Sequence, residues 1–517
     1  MVKSVDTKIG KDVIESLTLG MYEDSRFIFR EYIQNSADQI DKALEDGIFS
    51  DLGDGKIEID IDATARTISI FDNATGIESN KVQEILKNIA QSTKDRTKNK
   101  GFRGIGRLGG LAYCDKLIFE TSFKGEETKS ILTWDSQKLK AIINNRATKE
   151  EATAVIDDVT EFQTEKESGD SHYFRVTLKG VSNNALLDRE DVYQYLTMVA
   201  PVPYSKGFIF KKKICDKAEE LNFNIDEYAI SVNNDQVFKA YTTSIYEGDH
   251  GNKKKIDEIH DIEFFEIRTS KNKLLAWGWH SISNFTKVIP SVNTARSLRL
   301  RKGNIQIGLD EALTKLFKEA RGTKYFFGEI HTISSELIPN ARRDYFLENS
   351  DLVEFERLVK SKFDELHKLY YFSSKIRNEV KKIDDFKTFA NEYNEKSTTG
   401  GFTDNKEQKE YREKFELKRE KAQLATKELE KAQEKASTSS PSHQKVYEKV
   451  IGHDEPEIEH IVIANDNGKP KYITDDITSL SRKDRKLVSQ IYAVIDNVLP
   501  KDIANILKEK IKEDLSK

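Results

Sequence analysis

The first 180 residues alternate between two hydrophobic periods. KIEIDI (56–61) and RTISIF (66–71) repeat with period two and predict a strand pair. KLIFETSF (116–123), SILTW (130–134) and HYFRVTL (172–178) predict further strands, whereas residues 12–45 and 80–91 carry helical spacing. All eight prolines lie after residue 200, so nothing in the first unit breaks these elements. Strands mixed with helices, without regular alternation, predict an α+β fold with a helix layer on a mostly antiparallel sheet.

From about residue 190 to 390 a second unit is expected. Its strand-like runs are GFIF, YAISV, IEFFEI, LLAWGW and RSLRLRKGNIQIGL, with helices from about 350. EKSTTGGFTDN (395–405) reads as a linker with no pattern that would pack, and STSSPSHQ (437–444) as a second. Between them, residues 406–436 hold 18 charges in 31 positions, 10 positive and 8 negative. A narrow stripe of Ala422, Ala425, Leu429, Ala432 and Ala436 predicts a solvated helix or a short coiled-coil partner. Residues 445–517 read as a small tail domain ending in amphipathic helix.

Composition narrows the class. The chain has 517 residues, 37% hydrophobic and 33% charged, with a formal charge of −5. That excludes a strongly basic nucleic-acid coat while allowing a local basic groove. Two cysteines, Cys114 and Cys215, exclude a disulfide framework and a four-cysteine zinc site, and Cys114 reads as core packing. No secretory leader and no run near the ~18 apolar residues of a membrane span are visible, so a soluble, cytoplasmic, multidomain protein is expected. His453 and His460 flank DEPEIE and read as surface residues.

Three clusters carry candidate chemistry. In RFIFREYIQNSADQIDKAL (26–44), Glu31, Asn35 and Asp38 share one helical face, while Ile33, Ala37, Ile40 and Leu44 share the opposite one. Taken alone, that is an ordinary amphipathic helix with a polar outer face. In SIFDNATGIES (69–79) a strand runs into Asp72-Asn73-Ala74-Thr75-Gly76-Ile77. Such residues form turns, but a strand-end carboxylate can also accept from an exocyclic amine, and a glycine beside it lets a planar ring approach. In NKGFRGIGRLGGLAYCDKLIF (99–119), Gly101, Gly104, Gly106, Gly109 and Gly110 can expose backbone N–H groups to an anion. The G-x-G-x-x-G string there follows a Lys/Asn-rich loop, not a strand, which argues against a dinucleotide fold.

In order and spacing the three clusters, covering roughly residues 8–180, resemble the GHKL ATPase superfamily: gyrase B subunits, ninety-kilodalton heat-shock chaperones, histidine kinases, MutL and MORC proteins. REYIQNSADQIDKA is similar to its Glu/Asn helix motif, FDNATGI to its Asp-x-Gly-x-Gly motif and GFRGIGRLGG to its lid-end glycine motif. The resemblance implies a Bergerat α/β sandwich over residues 1–185 that binds Mg-ATP beneath a lid at residues 78–103. It implies that Glu31 activates the attacking water, that Asn35 is the Mg²⁺ ligand and that Asp72 contacts the adenine amine. By the same resemblance Asp38 and Ile77 join the nucleotide site, Gly76 passes close to the ring, and Gly104, Ile105 and Gly106 are the phosphate cradle. Two departures stand out: Ala74 replaces the usual glycine, and Thr177 in HYFRVTL stands where a Gly-Thr strand motif is usual.

The second unit points to a branch. The ATPase motifs come first in the chain, unlike in histidine kinases, and an S5-like domain is expected to follow. SELIPNARRDYF (335–346) resembles the heat-shock middle-domain segment that meets the γ-phosphate, making Arg343 the trans-domain arginine and Asn340 its neighbour. Lys302, in RLRKGN, is the gyrase-type rival. The expectation is a chaperone-like ATPase clamp acting on protein partners as an ATP-dependent homodimer, with partner binding through the C-terminal region. The alternative is a MORC/MutL-like clamp on DNA. Alternation in RSLRLRK puts Arg299 and Arg301 on one strand face, either solvated or facing nucleic-acid phosphates.

Overall fold

The computed structural model describes residues 8–18, 24–91, 104–249, 251–399, 401–402, 405–452, 477 and 479–515. Two compact units divide the chain, Met1–His367 and Lys368–Lys517. The second part of the expected lid, residues 92–103 with Gly101, and His453 and His460 lie outside the described residues.

The first unit begins with α1 (Asp12–Thr18) and α2 (Phe27–Glu45), where one helix was expected. The hairpin β1 (Lys56–Asp62) and β2 (Thr67–Asp72) and the short α3 (Val82–Lys87) follow. Next come β3 (Lys116–Ser122), β4 (Thr128–Asp135), α4 (Ser136–Asn144), α5 (Ala152–Val159), β5 (Thr160–Lys166) and β6 (Tyr173–Lys179). Then α6 (Arg189–Val199), α7 (Lys211–Glu220), β7 (Ala229–Val232) and β8 (Asp235–Gln236) complete a sheet of order β5-β4-β3-β6-β2-β1-β7-β8. All its pairings are antiparallel except β1 with β7. The first sheet therefore takes its last two strands from beyond residue 190. GFIF (207–210) is not a strand. It is a turn that leads into α7, with Phe208 and Phe210 buried and Ile209 exposed.

Alternation sets the faces of this sheet. Ile57, Ile59, Ile68, Ile70, Leu117, Phe119, Val176 and Leu178 are buried in one core with Ile33, Ala37 and Ile40 of α2. Cys114 joins that core, as expected. Thr177 pairs with Ser69 and Ile118, between the buried Val176 and Leu178, and so lies on the opposite face. It does not face the helix layer.

A hairpin of β9 (Ser244–Glu247) and β10 (Lys254–Glu258) leads to β11 (Asp261–Arg268), β12 (Leu274–Ile282), β13 (Ser297–Lys302), β14 (Ile305–Gln306) and β15 (Phe327–Thr332). Their sheet has the order β11-β12-β15-β13-β14. Here the expected wet face of RSLRLRK is absent: Leu298 and Leu300 are buried, and so are Arg299 and Arg301. Arg301 is paired with Glu329 and donates to the carbonyls of Met198 (2.8 Å) and Asn304 (2.9 Å). Glu329 also meets Lys239 at 3.0 Å, the Tyr241 hydroxyl at 3.2 Å, the Tyr204 hydroxyl, and His331 Nε2 at 3.1 Å. One buried carboxylate thus holds β15 to β13 and to the 198–241 segment, and neither arginine is open to a nucleic acid.

The unit boundary falls inside α8 (Ser350–Thr399). In the second unit, α9 (Asn405–Thr438) runs antiparallel to the later part of α8, with Phe386 and Tyr393 against Phe415, Phe389 stacked on Tyr411, and Lys375 paired with Glu428 at 2.7 Å. Ala422, Ala425, Leu429, Ala432 and Ala436 are all buried, so the stripe is the seam of an intramolecular hairpin. The 395–405 segment is not a passive linker. Phe402 is buried beside Tyr393 and Tyr411, and Gly401 N–H donates to the Lys396 carbonyl at 2.7 Å. The unit continues with α10 (Pro441–Ile451), α11 (Arg482–Val498) and α12 (Lys501–Leu515). Among the described residues no helix is long and apolar enough to cross a membrane.

The Glu329 cluster generates a pH prediction. His331 is stacked on Trp277 (4.9 Å between centroids) and its Nδ1 has no partner among the described residues. Burial holds the imidazole at about 4, below its ordinary 6.5, despite the Glu329 contact. Between those values the unfolded chain takes up a proton that the folded one refuses, so stability falls as pH drops from 6.5 to 4. The loss should reach about 3 kcal/mol. Chemical denaturation followed by tryptophan fluorescence should show it, and His331→Gln, which keeps an N–H toward Glu329, should flatten that acid limb. An equally steep limb in the variant would refute the assignment.

Candidate functional site

No glycine or proline interrupts residues 26–45, and α2 ends where Gly47 adopts a positive φ of 71°. The polar face expected to be solvated is covered: Glu31, Gln34 and Asp38 are only 7%, 0% and 5% exposed. Burying a row of polar side chains on an amphipathic helix is costly unless they are used. Asn35 is the exception, half-buried and without a side-chain hydrogen bond among the described residues.

At the end of β2, Asp72 is buried. Its Oδ2 accepts from the Ser36 hydroxyl at 2.7 Å and its Oδ1 from Ala74 N–H at 3.2 Å. α2 therefore orients the strand-end carboxylate through a residue one position beyond Asn35. The turn reading of the 72–77 segment holds. Asn73 ties the turn by accepting from Lys56 N–H (2.8 Å) and donating to the Asp54 carbonyl (2.9 Å). Gly76 has φ +67°, and a Cβ there would sit 1.9 Å from the Ser122 carbonyl oxygen. Close backbone packing on β3 is thus enough to require the glycine. Ala74 keeps a negative φ, so the departure from glycine there costs nothing in backbone freedom. Ile77 N–H donates to the Thr121 hydroxyl at 2.9 Å, and His172 Nδ1 meets the Ala74 carbonyl at 2.8 Å.

The glycine loop docks onto α2. A Cβ on Gly106 would lie 2.3 Å from Glu31 Oε2, and one on Gly110 would lie 2.5 Å from the Tyr32 hydroxyl. That hydroxyl donates to the Arg107 carbonyl (3.1 Å) and accepts from Gly110 N–H (3.2 Å). Gly104 turns with φ +70°, and Ile105 is buried beside it. The Arg107 side chain donates to the Asn88 carbonyl, and burial lowers its guanidinium to about 10.

Arg343 reaches the same place from the far end of the unit. Its Nε lies 3.2 Å from Glu31 Oε1, and Arg30 Nε lies 3.9 Å from that oxygen. Both contacts are ion pairs. Oε1 has no hydrogen-bond donor among the described residues and so can still accept from a water. Asn340 knits the turn by donating to Asp344 at 2.5 Å, and Arg342 is exposed where Arg343 is buried. Lys302 is engaged elsewhere. It donates to the Ser334 carbonyl at 2.7 Å, and burial lowers it to about 8.

Glu31, Gly106 and Arg343 thus converge, whereas Asp72 is tied to α2 and Gly76 and Ile77 pack on β3. Sequence reasoning missed Arg30, Tyr32, Ser36, Thr121 and His172. Only Arg30 left a signal, a charge inside the apolar run FIFREYI.

Residues 24–166 match the family model of the histidine kinase-, DNA gyrase B- and HSP90-like ATPases. The chain is similar to the chaperone protein HtpG of Psychromonas ingrahamii, 32% identical over 151 residues, which is 26% of this chain and 23% of that protein. It is also similar to the HtpG of Francisella tularensis subsp. tularensis, 28% identical over 235 residues, which is 42% of this chain and 35% of that one. The chain therefore spans about a quarter to a third of the length of these curated relatives. Residues 24–166 therefore resemble the histidine kinase-, DNA gyrase B- and HSP90-like ATPases.

Proposed function

We propose that this protein is a Mg-ATP-hydrolysing conformational ATPase of the heat-shock chaperone kind, acting on protein partners through a nucleotide-driven clamp as a homodimer. One observation carries the reading: Arg343, from beyond the second sheet, lies 3.2 Å from Glu31 on the ATPase helix. A second domain that delivers a cation to the carboxylate of the first gives ATP turnover a reason to depend on domain arrangement. The burial of Arg299 and Arg301 takes away one of the two basic stretches, RSLRLRK and KGFIFKKK (206–213), that a DNA clamp could use.

In this proposal Asp72 accepts a hydrogen bond from the adenine amine, with Ser36 fixing its rotamer, and Asp38 and Ile77 complete the nucleotide site. The backbone N–H groups around Gly104, Ile105 and Gly106 donate to phosphate oxygens. Glu31 Oε1 orients the attacking water and takes its proton. Arg343 moves from that carboxylate toward the terminal phosphate, where it stabilises charge developing in the transition state. Asn35 suits a Mg²⁺ ligand, because its amide is half-exposed and has no side-chain hydrogen bond among the described residues, and Mg²⁺ keeps most of its shell as water and phosphate oxygens. When bound, the ion neutralises phosphate charge.

Asp72→Asn should abolish nucleotide binding, because the amide presents a donor where the adenine amine also donates. The expected cost is roughly 2–4 kcal/mol, read by calorimetric titration with ATP. Unchanged affinity would sink the adenine assignment.

Glu31→Ala should keep ATP binding and lower kcat by at least ~10²-fold in a phosphate-release assay. Near-normal turnover would mean that another group activates the water.

Arg343→Ala should leave ADP affinity unchanged, since ADP has no γ-phosphate, and lower ATP turnover by roughly 10-fold or more. Arg342→Ala should do much less. The rival assignment predicts that Lys302→Ala stops turnover while Arg343→Ala does not.

A further inference from the structure

The chemistry proposed above gives Arg30 no part, yet it is among the most completely buried charged side chains, at 1% exposure. Its guanidinium lies over the Phe27 ring, 4.4 Å from the centroid. Beyond the ring it leaves the ATPase helix and enters the turn that carries Arg343. Nη2 donates to the Arg342 carbonyl at 2.9 Å and Nη1 reaches the Arg343 carbonyl at 3.4 Å. A planar fork can hold two successive carbonyls at once, and an ammonium cannot copy that geometry.

The turn it holds is under constraint. Arg343 has a φ of +54°, in the left-handed region, where a residue other than glycine stays only if its surroundings fix it. Its N–H donates to the Asn340 carbonyl at 3.1 Å, and its carbonyl also accepts from Gly308 N–H at 2.8 Å. The left-handed residue is the one whose side chain meets Glu31. Arg30 therefore contacts the backbone of the arginine that faces the neighbouring residue of its own helix.

We infer that Arg30 is a positioning residue: by holding the carbonyls of Arg342 and Arg343 it docks the 340–344 turn on the ATPase helix and sets the Arg343 side chain on the Glu31 site. The inference rests on the ATPase reading of Glu31 and Arg343. It adds that one buried arginine makes docking of the turn and readiness of the base a single event.

The test uses the full-length chain with Arg30→Met, Arg30→Lys, Arg343→Ala and the Arg30→Met/Arg343→Ala double variant. Without nucleotide, hydrogen exchange at the Gly308 and Arg343 amides should speed up by about 10-fold or more in Arg30→Met, and by less in Arg30→Lys. With ATP, Arg30→Met should lower kcat by roughly 10-fold or more while KM and ADP affinity stay within about twofold. The double variant should turn over at the Arg343→Ala rate, because both changes remove the same act. Unchanged exchange in both Arg30 variants would overturn the inference, and so would losses that multiply in the double variant. If Arg30→Met does not fold, Arg30→Lys carries the exchange measurement and, paired with Arg343→Ala, the turnover cycle. A wild-type chain without turnover would defeat the ATPase reading alone, and the exchange result would still decide whether the clamp exists.

Discussion

The carboxylate of Glu31 is the group around which the first unit is arranged. A carboxylate at 7% exposure is tolerable only if charge or donors surround it. Here the charge comes from Arg30 on its own helix and from Arg343, 312 positions further along the chain. Gly106 presses on its other oxygen. The glycine loop, the helix and the 340–344 turn therefore have to be in place together, and a shift in any one changes the environment of the other two.

A second buried carboxylate, Glu329, is satisfied in a different way. It too is flanked by two cations, Lys239 and Arg301, but two tyrosine hydroxyls and His331 also take up its acceptor capacity. Burial lowers Lys239 to about 7, and the surrounding cations hold Glu329 well below the usual carboxylate range despite its own burial. A satisfied network of this kind rigidifies the region it joins. Glu31 Oε1, in contrast, has ion-pair partners and no hydrogen-bond donor among the described residues. Rigid attachment and open acceptor capacity are thus placed in different parts of one unit.

Strands with clean alternation, such as 56–61 and 172–178, were legible in the sequence because one face packs on α2 and the other does not. β5 was not, since TEFQTEK lies at the sheet edge with almost no buried residue to give it a period. RSLRLRK misled for the opposite reason: both of its faces are buried, and the partner that makes Arg301 tolerable, Glu329, is far away in sequence. In the 395–405 segment a single aromatic, Phe402, outweighs the glycines around it. The site divides in the same way. Glu31, Asp72 and the glycine loop stand in local motifs. Ser36 and Thr121 do not, because a common serine or threonine acquires its meaning only from the strand end it touches. Arg30 gave a weak signal as a charge among apolar neighbours, but nothing near it in sequence names residues 342 and 343 as its partners.

A glycine-rich loop beside a nucleotide motif is usually explained by the phosphates it will meet. Here the protein already accounts for two of the glycines. Glu31 fills the space that a Cβ on Gly106 would need, and the Tyr32 hydroxyl fills that of Gly110. Two adjacent side chains of one helix therefore fix the loop on α2, with the Gly110 N–H already donated to the Tyr32 hydroxyl. The arginine turn is the opposite case. It is held by two carbonyl contacts, one left-handed residue and an ion pair without hydrogen-bond alignment. On the proposed reading, a glycine loop packed on α2 and an arginine turn joined through Arg30 and Glu31 give nucleotide binding and turnover separate structural supports. In the proposed ATPase, that division lets a change of domain arrangement control hydrolysis without altering the affinity for ADP.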